Sequence, residues 1–155
     1  FNAPLILQIS EEIKLYFPKI FKKFPLTKAW AFKCNNQMKG IKIHADYAAI
    51  NVNLWITPDK ANLNKNTGGL LIWDKESPKN WNFDKYNNNH IEIKKILKKS
   101  KSKMKRIKYK SNRAIIFNSN LFHASDNFHF KKSYENRRIN VTLLYGKRKN
   151  TKRFQ

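Results

Sequence analysis

The residues in this sequence best suited to hold an ion are two histidines and an aspartate. His44 and Asp46 stand two apart at the end of Gly40–Asp46, where apolar and polar residues alternate. Such alternation predicts a strand, and residues two apart on a strand share a face. His123 follows far downstream, after the apolar run Ala114–Phe117. Two imidazoles and a carboxylate fill one side of a divalent ion and leave the other open, a donor set suited to an Fe(II) that activates oxygen. His-x-Asp alone is common, and His44 alone reads equally as a packed or surface histidine. Taken together at strand positions, His44, Asp46 and His123 are the expected metal ligands and the catalytic residues.

Arg138 heads a further alternating run whose same-face residues are Asn140, Thr142 and Leu144. A guanidinium fork pairs bidentately with a carboxylate. On an inner face, Arg138 would take the distal carboxylate of a dicarboxylic cosubstrate, with Asn140 adding a hydrogen bond. Arg137 faces the other way, toward solvent. In Ala49–Ile56, the residues Asn51, Asn53 and Trp55 share one face, while Ile50, Val52, Leu54 and Ile56 share the other. Asn53, Trp55 and Tyr47 are candidates for lining the cavity, on position alone.

Short strands must carry these residues. Alternation predicts strands at 27–34, 49–56, 70–73, 114–117 and 138–145, with His123 in or just after another, and Asn35-Asn36-Gln37 reads as a turn. Residues 5–24 show apolar positions at helical spacing, with Ser10-Glu11-Glu12 as the expected cap and a break at Pro18. A short helix is expected at 90–99. The stretches 57–67, 74–90 and 98–110 read as loops, the last densely basic. The expected organisation is a helical segment 1–26 packed on the core, a core 27–146, and a basic tail 147–155 that frays.

The 155 residues suffice for one domain, and 41% hydrophobic with 14% aromatic content is globular composition. The net charge of +23 gives weak, non-specific affinity for polyanions. Lys, Asn and Ile also rise together in A- and T-rich coding sequence, so part of this charge is compositional. No apolar run is long enough to span a membrane, and no secretory leader is evident. With a single cysteine, Cys34, these features point to a reducing compartment, the cytoplasm. The first residue is Phe rather than Met, which points to a piece of a longer protein.

In order, His44-Ala45-Asp46, His123 and Arg138 resemble the motif of the Fe(II)/2-oxoglutarate-dependent oxygenases. Leu54–Asp59 followed by Gly68-Gly69-Leu70 resembles the prolyl-hydroxylase-like and phytanoyl-hydroxylase-like members, and Ala114–Ser119 resembles the strand that delivers their distal histidine. The resemblance covers about residues 28–146. It implies a mainly β fold, a double-stranded β-helix (jelly roll, cupin-like), with N-terminal helices packed on one sheet. It further implies Fe(II) on His44, Asp46 and His123, 2-oxoglutarate held by Arg138, Asn140, Asn53 and Trp55, and O₂ as oxidant. The expected reaction hydroxylates a C–H bond of a protein side chain or small molecule, releasing succinate and CO₂. Trp55 stands where prolyl hydroxylases usually carry Tyr. Arg138-Ile139-Asn140-Val141-Thr142 also resembles AlkB-like nucleic-acid demethylases, although Leu144 stands where those have a further Arg. A metal-binding jelly roll without turnover is the remaining alternative.

Overall fold

The computed structural model describes residues 3–35, 38 and 40–148. Two antiparallel sheets form its centre. The larger has the order β1-β7-β2-β5, from Leu26–Cys34 (β1), Ile50–Trp55 (β2), Arg113–Asn118 (β5) and Arg138–Tyr145 (β7). The smaller has the order β4-β3-β6, from Leu70–Glu76 (β3), Met104–Ile107 (β4) and Leu121–Ser125 (β6).

Each sheet has an outer face covered by helices. Pro4–Tyr16 (α1) and Pro18–Phe21 (α2) cover the larger sheet. Ile6, Ile9, Ile13 and Phe21 pack there against Ile50, Val52, Leu143 and Tyr145. Phe83–Asn87 (α3) and His90–Lys99 (α4) cover the smaller sheet, where Tyr86, Ile93 and Leu97 meet Phe122 and Ala124. Between the sheets, Trp55, Ile115 and Phe117 pack with Leu70, Ile72 and Ile107. The layers are therefore helix, sheet, sheet, helix. Among the described residues, no helix is long and apolar enough to cross a membrane.

The strands expected at 27–34, 49–56, 70–73, 114–117 and 138–145 and the helix at 90–99 are present, and the helical break at Pro18 is real. Three expectations are corrected. Helix α1 starts at Pro4 rather than near Ser10, because proline suits the first helical turn; Ser10 lies buried mid-helix and accepts a 3.1 Å bond from the Tyr145 hydroxyl. Part of the basic run forms the edge strand β4, and part of 74–90 forms α3 and the end of β3. The segment before Asp46 makes one bridge, His44 to His123, instead of a continuous strand. Its next amides turn to other partners, Ala45 N to Tyr86 O and Asp46 N to Ser119 O, so no ladder can propagate.

The end of the described chain is anchored. Arg148 is buried, donates to the carbonyls of Ser77 (3.0 Å) and Pro78 (2.8 Å), and lies 4.2 Å from the Tyr86 ring centroid. The rest of the expected tail, 149–155, and the expected turn at Asn36-Gln37 lie outside the described residues.

Gly69 fixes the spacing between β4 and β2. A Cβ there would collide with the Ile107 carbonyl and with the Trp55 ring. Gly69→Ala is expected to destabilise the fold by about 1–3 kcal/mol through overpacking, read as a lower urea midpoint at unchanged slope.

Candidate metal centre

Strand register decides which side chains meet. On β7, Arg138, Asn140, Thr142 and Leu144 pair with Cys34, Phe32, Trp30 and Lys28 of β1. Asn140, Thr142 and Leu144 pair on the other side with Trp55, Asn53 and Asn51 of β2. Cross-strand partners share a face, so these residues form one inner surface. His123 enters from β6, opposite Ile72, and brings His44 with it through the paired bonds His44 N to His123 O and His123 N to His44 O.

The three expected ligands converge, with donor atoms all within 4.8 Å of one another. His123 Nε2 lies 3.3 Å from Asp46 Oδ2, and His44 Nε2 lies 3.6 Å from Asp46 Oδ1. The tautomers follow from the backbone. His44 Nδ1 sits 2.7 Å from the Lys42 carbonyl and His123 Nδ1 sits 2.9 Å from the Leu121 carbonyl. A carbonyl only accepts, so each Nδ1 carries the proton and each Nε2 presents a lone pair. Two nitrogen lone pairs then face a carboxylate, an arrangement that is repulsive unless a cation stands between them. The cluster thus fits a divalent ion on the chemistry of its donors.

Electrostatics agree. Burial, and next the neighbouring His123, lower the pKa of His44 to about 4, which keeps that ring unprotonated and able to bind metal. For Asp46, burial opposes ionisation, and a hydrogen bond and positive charge from His123, then His44 and Asn51, outweigh it and hold the carboxyl below its usual range; the imidazoles do this only with a proton between ring and carboxylate, the place a bound cation would take.

A line of polar side chains leads into Asp46. Trp55 Nε1 donates to Asn140 Oδ1 (2.8 Å), Asn140 Nδ2 to Thr142 Oγ1 (2.9 Å), and Thr142 Oγ1 makes a long 3.5 Å contact to Asn53 Oδ1. Asn53 Nδ2 then donates to Asn51 Oδ1 (2.5 Å), and Asn51 Nδ2 to Asp46 Oδ2 (2.6 Å). Each donor points toward the carboxylate, so the chain polarises in one direction and favours its ionised form. Asn51 is the functional residue that sequence reasoning passed over. Its signal was present, because it shares the face of Asn53.

Arg138 faces inward, as its parity predicts, and is only 3% exposed. It lines the same small chamber as His44, Asp46, His123, Asn53 and Asn140. Nε donates to the Gly68 carbonyl at 2.7 Å and an outer nitrogen to the Gly69 carbonyl at 3.3 Å. The Cys34 sulfur takes a further one, which leaves two of its five N–H groups available. Burial lowers its pKa, with Cys34 and Tyr109 opposing, yet a guanidinium stays charged. Among the described residues, no carboxylate lies within ion-pairing distance of it.

The other expected cosubstrate contacts are placed differently. Asn53 and Asn140 line the chamber, but both amides are spent in the polar line. Trp55 is fully buried behind it, stacked on Tyr109 with centroids 5.3 Å apart, and does not line the chamber. Tyr47 lies at the rim of an outer bay of about 420 Å³, which shares Trp30, Phe32, Ile41, His44 and Asp46 with the chamber. Cys34, the lone cysteine, lines the chamber beside Arg138; nothing in the sequence pattern signals this.

No family model and no curated protein matches this chain. The solved structures similar to it include two of one enzyme. One is an N-substituted L-amino acid dioxygenase from Burkholderia ambifaria AMMD, 11% identical with a TM-score of 0.48 over 88% of this chain and 62% of that one. The other is that dioxygenase in complex with alpha-KG, 12% identical with a TM-score of 0.47 over 90% of this chain and 63% of that one. This chain thus spans under two thirds of their length.

The metal cluster carries its own prediction. Replacing Asn51 with Leu removes the bond that orients Asp46, and the affinity for Co(II) is expected to fall about 10- to 100-fold. His123→Ala is expected to lose stoichiometric binding altogether. Titration monitored by the visible Co(II) absorption checks both.

Proposed function

We propose that this chain is an Fe(II)- and 2-oxoglutarate-dependent dioxygenase that hydroxylates a C–H bond of its substrate. The observation that carries this reading is the buried Arg138 guanidinium, without a carboxylate partner among the described residues, in the same chamber as a two-histidine, one-carboxylate cluster. A buried cation without a counter-ion is costly unless an anion joins it. A dicarboxylate that reaches from the cluster to Arg138 satisfies both ends.

When bound, the iron supplies the oxygen chemistry. His44, Asp46 and His123 would hold it, with both rings fixed in the required tautomer by Lys42 and Leu121. Arg138 would take the distal carboxylate through its unused N–H groups. Asn51 orients Asp46, and Asn53 and Asn140 act as positioning residues behind it. The chamber measures about 40 Å³ as it stands, so a five-carbon dicarboxylate must part its walls. Phe32 and Ile41, which border both chamber and bay and are 41% and 42% exposed, are the wall residues placed to give way.

One observation favours a second reading, a nucleic-acid demethylase. A groove of about 840 Å³ runs beside β4, and seven of its eleven lining residues are Lys or Arg. The chain as a whole has 33 in 155, so composition alone does not produce this density. The groove shares no lining residue with the chamber or the bay, and for that reason the first reading is preferred.

The test is succinate formation from 2-oxoglutarate with Fe(II) and O₂. Arg138→Met is expected to raise the 2-oxoglutarate requirement by the loss of a charge-assisted pair, about 2–5 kcal/mol. Arg137→Ala, facing the other way, is expected to leave it unchanged. Undiminished turnover by Arg138→Met at low 2-oxoglutarate would reject the assignment of that residue.

A further inference from the structure

We propose that the outer bay, beside the metal cluster, binds a small organic anion with a flat, apolar body. Naming this ligand the substrate rests on the oxygenase reading; the binding itself does not.

The bay is contiguous with the cluster, since His44 and Asp46 line it. Its volume, about 420 Å³, lies in the small-molecule range. Its walls are aromatic. Trp30 and Phe32 follow each other on the inner face of β1, Phe83 comes from α3, and Tyr47 follows the His-x-Asp segment. Phe32, Ile41, Tyr47 and Phe83 are 41–52% exposed. Four large apolar side chains left in water around one opening mark a surface made to be covered, and ring faces favour a flat occupant.

Charge fixes the rest. Lys28 and Lys42 line the bay, and among the described residues neither ammonium has an ion-pair or hydrogen-bond partner. Asp46 is the only acid lining it, and its oxygens belong to the cluster and to Asn51. The amide nitrogens of Asn87 and Asn88 are already spent on the Ala45 carbonyl (3.0 Å) and Asp84 Oδ1 (2.9 Å). The two lysines are therefore the cationic donors of the bay, beside the neutral Trp30 N–H and Tyr47 hydroxyl, and they repel a cationic peptide or amine.

The experiment is calorimetric titration of the full chain, stripped of metal and exchanged into chelator-free buffer, with indole-3-acetate, tryptamine and acetate. Removing metal keeps the probe's acid from being recruited by the cluster. Indole-3-acetate is expected to bind at least about tenfold more tightly than tryptamine, which has the same ring with a cation, and than acetate, which lacks the body. The double variant Lys28→Glu, Lys42→Glu is expected to erase this preference. Lys98→Glu, an exposed lysine on α4 outside the bay, is expected to keep it. Phe83→Ala, on the exposed rim, gives a second reading should the double variant not fold, and is expected to weaken the acid severalfold. The proposal is overturned if the acid shows no millimolar binding or no preference over tryptamine or acetate. It is equally overturned if Lys98→Glu weakens binding as much as the double variant, or if Phe83→Ala has no effect. If the acid preference holds while 2-oxoglutarate turnover fails, the bay stands and the oxygenase reading falls; the opposite pair of results rejects the bay alone.

Discussion

Two opposite charges taken out of water set the terms for the rest of this structure. Asp46 and Arg138 line one chamber yet make no ion pair with each other. Burying charges separately is unfavourable unless each finds its own polar surroundings. Asp46 finds them in the Asn51 amide and in whatever cation stands between it and the two imidazoles. Arg138 finds them in the carbonyls of Gly68 and Gly69 and in the Phe128 ring, 5.4 Å away. The chamber is left with a negative pole fit for a cation and a positive pole fit for an anion. The strand register, the glycine pair and the polar line are the means by which that separation is held.

Much of this was legible in the sequence because the two faces of the larger sheet differ in chemistry. Alternating Asn51, Asn53 and Trp55 against Ile50, Val52 and Leu54 identifies β2 and its parity together, and the pairing of Asn53 with Thr142 agrees. The same rule separates inward Arg138 from Arg137, whose guanidinium lies 5.3 Å from the Tyr134 ring. The candidate metal ligands were legible for a different reason. Their residue types are restrictive, and two of them sit on one short extended segment.

What was not legible depended on depth and on competition for hydrogen bonds, neither of which alternation encodes. Trp55 has the expected parity but sits at the far end of the face, where Tyr109 and Gly69 close over it. Asn53 and Asn140 point inward, yet their amides are consumed by neighbours two residues away or across the strand pair. Strand β4 was hidden because it is a mostly exposed edge whose Lys105 and Arg106 read as solvated charge; Arg106 in fact reaches the buried Asp126 at 3.2 Å. Charged edge residues are a common protection against unwanted strand pairing. The sequence signature of an edge and that of a basic loop are therefore hard to tell apart.

The packing explains how a fold this small can keep a polar interior. An ordinary two-sheet sandwich gains its stability between the sheets, and a chamber placed there removes apolar contacts from the core. Here two of the three hydrophobic clusters lie outside the sandwich, under α1 and α2 on one side and under α3 and α4 on the other. The inter-sheet cluster around Trp55, Leu70 and Phe130 fills only part of the space between the sheets. The remaining inner surface is then free to carry Asn51, Asn53, Asn140 and Thr142 without emptying the core. The outer helices are in this sense part of the site. They supply the apolar burial that lets β2 and β7 turn amides inward, and those amides fix the position of Asp46.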